Sequence, residues 1–390
     1  MNELQKSSEI QKMSEFRELT EFLDTSGKRW GVPESDCIIS REGEIIYRHR
    51  TGSLQHNTKG EAGTYWLYSA TKIATCVAAM QLIECGKLAL SDPVSKYLPE
   101  FASLTVRDKE GKCHPAKTEL TVFHLMTMTG GLDYDLGRPA LKEALKLPEE
   151  EKTTRNIVAA LAADPLLFDP GEHFKYSFCH DVLGAVIEAA AGQRLEKYMQ
   201  MHIFQPLGMS DTTFCPDSDK IKRMRTQYIH TDSKGTLANW NQDNEWRFSV
   251  NYDSGGAGLL STVEDYILLL SALSMGGSTA DGRRILKEET IAEMAHPRLN
   301  AVQQTDFLTR SAAMKGYSYG LGVRVLVDNK GIDFPLGEFG WDGAAGAYAL
   351  VDPYRHIAMY YSQHVYNCPI VYQRLHPALR DVAGRCLKQL

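Results

Sequence analysis

Leu67-Tyr68-Ser69-Ala70-Thr71-Lys72-Ile73-Ala74 opens a stretch that stays apolar through Val77, Ala78, Met80 and Leu82 and stops at Gly86. A helix turns once in about 3.6 residues, so side chains three apart share a face. Ser69 and Lys72 are therefore expected to point the same way, hydroxyl beside amine, where a buried helix begins. A lysine among Ile73, Val77, Ala78 and Met80 is poorly solvated, which favours its neutral form. A neutral amine beside a serine hydroxyl at a helix N-terminus is the arrangement of an activated nucleophile. The tetrapeptide S-x-x-K alone recurs by chance, so its weight comes from what accompanies it.

The rest of the chain sets the frame. With 390 residues, two structural units sharing one site are expected. A 43% apolar and 24% charged composition is that of a soluble globular protein. The formal charge of −6 leaves no basic stripe for nucleic acid, and Lys220-Ile221-Lys222-Arg223 with Arg225 reads as solvated surface. No apolar core of signal-peptide length occurs in Met1 to Trp30, and no run of 18 apolar residues could span a membrane. Within that stretch, Phe16 to Leu23 has the spacing of an amphipathic helix. The eight cysteines form no C-x-x-C pair, a usage that suits reduced thiols and a cytoplasmic location. No H-E-x-x-H, cysteine cluster or phosphate-cradling loop calls for a metal or cofactor.

Element order is strands, helices, strands. Asp36 to Ser40 and Glu44 to Arg48 read as a hairpin about an Arg-Glu-Gly turn. Helical spacing follows from Tyr68, from Leu120, over Arg155 to Ala163 and over Val182 to Ala191. Ser261-Thr262-Val263-Glu264 fits a capping box that launches a helix ending at Gly276-Gly277. Strands return over Gly322 to Val327, Gly346 to Val351 and Ile357 to Ser362, and Val371 to Leu390 closes the chain as a helix. The economical fold is α+β: an antiparallel sheet from residues 1–65 and 290–390, flanked by terminal helices. A mainly helical unit over 66–289 is inserted, with the active site in the cleft between them.

Two further motifs fit the first. Asp169-Pro170-Gly171-Glu172-His173-Phe174-Lys175-Tyr176-Ser177 is a turn leading to Tyr176 just before a helix. Phe339-Gly340-Trp341-Asp342-Gly343-Ala344-Ala345-Gly346 is small-residue backbone leading into a strand, able to offer amide donors to an oxyanion. S-x-x-K, Pro-Gly-x-x-Phe-x-Tyr-Ser and a late Gly-rich strand, in this order, resemble the serine β-lactamase-like superfamily. Leu88 to Pro99, Leu125 to Leu132, Pro206 to Met209 and Gly255 to Thr262 match its surrounding phrases, so the resemblance runs from about residue 30 to 362.

The resemblance implies a β-lactamase/transpeptidase-like fold and an acyl-enzyme mechanism. By position, Ser69 is its nucleophile, Lys72 the activating partner and Tyr176 the proton shuttle. The amides of Ser69 and Ala344 would form the oxyanion hole, and Trp341, Gly343 and Phe178 would contact substrate. The superfamily's β-lactamases carry Tyr-x-Asn and Lys-Thr-Gly, whereas here Phe178 and Trp341 stand where the asparagine and lysine would be. Trp-x-Gly is the pattern of family VIII carboxylesterases, and the aromatic wall suits an apolar acyl or alcohol group.

The expected function is therefore hydrolysis of a small-molecule ester, or amide, of small to medium acyl groups. An acyltransferase, a β-lactamase or D-amino-acid peptidase, and a catalytically silent binding protein are the alternatives. Gly316-Tyr317-Ser318-Tyr319-Gly320 matches the nucleophile elbow of another hydrolase fold. That elbow needs a strand, a sharp turn and a helix, whereas alternation over Leu321 to Val327 predicts a strand. His180 and Asp181 invite a triad reading, but Asp181 is expected to cap the following helix, and His180, bordering the cleft, to be a satisfied surface or supporting histidine rather than a catalytic one. The sequence leaves the oligomeric state open.

Overall fold

The structure is a computed structural model that describes residues 15–56, 62–232, 236–240 and 243–388. The first fourteen residues and the last two positions of the expected C-terminal helix lie outside it. The chain opens with helix α1 (Arg17–Trp30), ended by Gly31 in the left-handed conformation. Strands β1 (Asp36–Arg41) and β2 (Glu44–Arg50) form the expected hairpin. Its turn residues Glu42 and Gly43 both have positive φ, the two-residue turn whose twist matches paired strands.

After the helical middle come β3 (Tyr317–Tyr319), β4 (Arg324–Leu326), β5 (Phe339–Asp342), β6 (Tyr348–Asp352) and β7 (Ile357–Ser362). The seven strands form one sheet in the order β2-β1-β7-β6-β5-β4-β3, every neighbour antiparallel. The N-terminal hairpin thus zips onto the last strand, Ile38 opposite Tyr360.

Strand β7 is buried at every position rather than at alternate ones because both faces of the sheet are covered. Neighbouring side chains on a strand point to opposite faces. Tyr360 packs on Tyr266 of helix α4 (Val263–Ser274), and Tyr361 meets His376 of helix α6 (His376–Leu387). Helix α6 is also tied to α1 through Arg385 and Glu18. Helix α4 lies against the sheet although it falls inside the 66–289 stretch expected to be the helical unit. Its cap is Thr262, whose hydroxyl accepts from the Asp265 amide, one residue later than expected, and Glu264 pairs with Arg48 and Arg50 instead of closing a box with Ser261.

Helix α2 (Thr71–Glu84) is buried at almost every position through Met80, as its apolar run dictates. It packs against helix α3 (Cys179–Ala191) and against β5, the interior strand that carries Trp341. Phe339-Gly340-Trp341-Asp342 is itself a strand rather than an approach to one. A Cβ at Gly340 would stand 2.0 Å from the Ala349 carbonyl oxygen, so the neighbouring strand passes where a side chain would begin. Ser318 lies within β3, opposite Val325 and buried, with a hairpin rather than a helix after it. All eight cysteines are free thiols. Among the described residues no helix is long and apolar enough to cross a membrane.

Candidate active site

Ser69 sits in a short 3₁₀ turn, Tyr68–Ala70, that feeds helix α2. Tyr68 has φ of 47°, a left-handed conformation that costs a non-glycine residue on the order of 1 kcal/mol or more. Its side chain is held at both ends: the hydroxyl donates to Gln227 Oε1 at 2.8 Å and the ring packs on Tyr366. The strained residue therefore fixes where the next side chain, Ser69, points.

Lys72 is 0% exposed, and its amine donates to Ser69 Oγ at 3.2 Å and to the Gly256 carbonyl at 2.6 Å. The serine–lysine contact follows from helix geometry alone. The Gly256 contact does not, since it joins residues 184 apart in sequence. Lys72 Nζ also lies 4.7 Å from the ring centroid of Tyr176 and 5.6 Å from that of Tyr134. Tyr176 accepts a hydrogen bond from Trp341 Nε1 at 2.9 Å, and the two ring centroids lie 5.5 Å apart with their planes tilted by 32°. The indole N–H thus occupies the phenol oxygen from the sheet side while the amine lies over its ring.

Ser69, Tyr176, Trp341, Gly343 and Ala344 line one cleft of about 360 Å³, a size suited to a small molecule. Arg310, Asn367 and Tyr372 line the same space. A Cβ at Gly343 would fall 2.2 Å from the Leu67 carbonyl oxygen, so this glycine lets the end of β5 close against the backbone preceding Ser69. The next turn is held from outside: the Tyr372 hydroxyl donates to the carbonyls of Gly343 and Ala344, and the Asn367 amide donates to Ala344. Within a trans peptide the carbonyl and the following N–H point in opposite directions. Holding the Gly343 carbonyl therefore fixes the direction of the Ala344 N–H.

Three expectations need correction. Phe178 is 1% exposed and does not line the cleft; the rings of Tyr134 and Trp246 cover it. Its apolar ring joins the hydrophobic core, with Tyr134 packed against it. Asp181 does not cap helix α3, whose N-cap position is Phe178 with no side-chain bond. Its buried carboxylate instead accepts from the Tyr252 and Ser254 hydroxyls at 2.9 and 2.6 Å and from the Gly256 amide at 3.4 Å. It anchors the loop whose carbonyl holds Lys72, and burial pushes its pKa up. His180 is wholly buried, not beside the cleft; its Nε2 lies 3.8 Å from Cys76 Sγ, and burial lowers its pKa well below the usual imidazole value.

Tyr134, Gly256, Arg310 and Tyr372 escaped the sequence reading. Each reaches the site across a long sequence separation. Only Gly256 left a trace, in the small-residue phrase Gly255-Gly256-Ala257-Gly258.

The family model described as Beta-lactamase matches residues 29–367. Acyltransferase calJ of Penicillium decumbens is 31% identical over 300 residues, 71% of this chain and 70% of that one. Esterase EstB of Burkholderia gladioli is 28% identical over 342 residues, 81% of each chain. Among solved structures, EstCE1, a hydrolase with promiscuous acyltransferase activity, superposes with a TM-score of 0.77 at 25% identity. That match covers 97% of this chain and all of the other.

Proposed function

We propose that this chain, which belongs to the beta-lactamase family, is a carboxylesterase-like serine hydrolase acting through an acyl-enzyme on esters of small to medium acyl groups. The observation that carries the reading is the buried Lys72 amine, 3.2 Å from Ser69 Oγ and over the ring of Tyr176 at the wall of the cleft. Ser69 Oγ attacks the ester carbonyl, and its proton passes into the Lys72–Tyr176 pair. The oxyanion is held by the amides of Ser69 and Ala344, each such donor being worth on the order of 3 kcal/mol of barrier. Tyr176 returns the proton to the departing alcohol. Water then attacks the acyl-enzyme, loses a proton to the same pair, and the acid leaves as Ser69 is restored.

Preference for esters over β-lactams rests on Trp341. The indole occupies the third-motif position with an apolar face, and its N–H is committed to Tyr176. Acyl transfer is the second reading, favoured by the activities named for calJ and EstCE1. It differs only in which nucleophile enters the cleft once the alcohol has left. The free cysteines support a cytoplasmic location.

The test is fluorophosphonate labelling with intact mass, followed by p-nitrophenyl esters from acetate to laurate beside nitrocefin. Labelling is expected to vanish in Ser69→Ala and persist in Ser318→Ala, with esters turned over faster than nitrocefin. Labelling that survives in Ser69→Ala, or faster nitrocefin turnover, overturns the proposal. Adding an alcohol and measuring ester against acid product separates transfer from hydrolysis.

A further inference from the structure

The cleft contains a cation that the chemistry above does not use. Arg310 follows helix α5 (Ala301–Thr309) directly, and its guanidinium carbon lies 4.0 Å from the Tyr176 ring centroid and 5.8 Å from that of Trp341. Its side chain is exposed, and it is the one cation among the described residues lining the cleft. A guanidinium over an aromatic ring uses its π face; its N–H donors lie in its own plane and remain free for an anion.

The neighbouring carboxylates are already engaged. Asp306, one turn earlier, accepts from His173 Nδ1 at 2.9 Å and the Phe174 amide at 3.1 Å. Asp342 accepts from Arg324 at 2.7 Å and faces His376. Among the described residues Arg310 has no ion pair and no side-chain hydrogen bond. The positive charge absent from the third motif, where Trp341 stands, thus re-enters the cleft from another element.

Resting on the ester-hydrolase reading, we propose that Arg310 makes the cleft selective for esters whose alcohol portion carries a carboxylate. The alcohol side is specified because the guanidinium covers the ring whose hydroxyl serves the departing oxygen. Arginine stays charged throughout the working pH range, so the selectivity needs no titration.

The experiment compares kcat/KM for 4-acetoxybenzoate with that for its neutral methyl ester, in wild type, Arg310→Gln and Arg310→Lys. A charge-assisted contact at an accessible site predicts a preference of roughly tenfold for the anion in wild type, weakened by salt. The ratio should fall to about one in Arg310→Gln and be partly retained in Arg310→Lys. A wild-type ratio near one, or a preference that persists in Arg310→Gln, overturns the inference while leaving the esterase reading intact. Equal losses on both esters would make Arg310 a support for Tyr176 and also overturn it.

A readout without turnover keeps the two proposals apart. In Ser69→Ala, calorimetry should show 4-hydroxybenzoate binding more tightly than methyl 4-hydroxybenzoate, the difference vanishing in Ser69→Ala/Arg310→Gln. That result would support the anion site even if ester turnover failed; equal binding of the two phenols would sink it.

Discussion

Gly256→Ala tests the site's longest-range support. The Gly256 carbonyl holds Lys72 at 2.6 Å, and its amide is held by Asp181. A Cβ there would stand 2.4 Å from Asp181 Oδ2 and 3.2 Å from the Tyr134 hydroxyl. Asp181 cannot swing aside, because Tyr252 and Ser254 bind its other oxygen. Gly256 is not among the residues with positive φ, so the clash rather than backbone strain is what alanine introduces. The loop must therefore move, taking the carbonyl with it.

Overpacking of this kind costs about 1–3 kcal/mol of stability. A displacement near 1 Å at a reacting group costs on the order of 100-fold in rate. Thermal unfolding and p-nitrophenyl acetate kcat should both fall. The control is Gly192→Ala, where φ is 66° and nothing lies within 4 Å of the new Cβ. It should lose about 1–2 kcal/mol of stability with turnover intact. A Gly256→Ala protein with wild-type kcat and midpoint would refute the claim that this loop positions Lys72.

Other substitutions separate chemistry from packing. Tyr176→Phe should cut kcat by about 10²–10⁴ with the fold intact by circular dichroism; near-normal turnover would remove the phenol from the mechanism. Phe178→Asn restores the β-lactamase-like residue, yet the position is covered by Tyr134 and Trp246. It should destabilise by roughly 3 kcal/mol or more and gain no nitrocefin activity; a stable, nitrocefin-cleaving variant would show that position 178 faces substrate. Burial pushes the Glu188 carboxyl up to about 7 from 4.5. Between those values the folded state keeps a proton that the unfolded chain releases, so stability falls as pH rises. The slope is at most about 1.4 kcal/mol per pH unit. Glu188→Gln should flatten denaturation midpoints measured from pH 4.5 to 7, and an unchanged slope would place the titration elsewhere.

Much of the fold was legible because its signals are local. The hairpin at Glu42-Gly43 is written in turn chemistry, and helix α2 in a run with no polar face. The late strands were harder. β3 spans only three residues and hides inside a motif borrowed from another fold, and β5 reads as loop because glycine interrupts it. The cap of α4 slipped by one residue because Ser261 and Thr262 both satisfy the same pattern.

The Ser69–Lys72 contact was decided by spacing alone, since three residues is nearly one helical turn wherever the helix sits. Tertiary structure decided what surrounds that pair. It set Trp341 on Tyr176 across 165 residues, Gly256 on Lys72 across 184, and Asp181 beneath the loop rather than at a helix cap. It buried Phe178 and left Arg310 over the aromatic wall. The physical reason is one of range: periodicity encodes which side chains share a face, but which faces meet depends on how the whole chain buries its apolar surface.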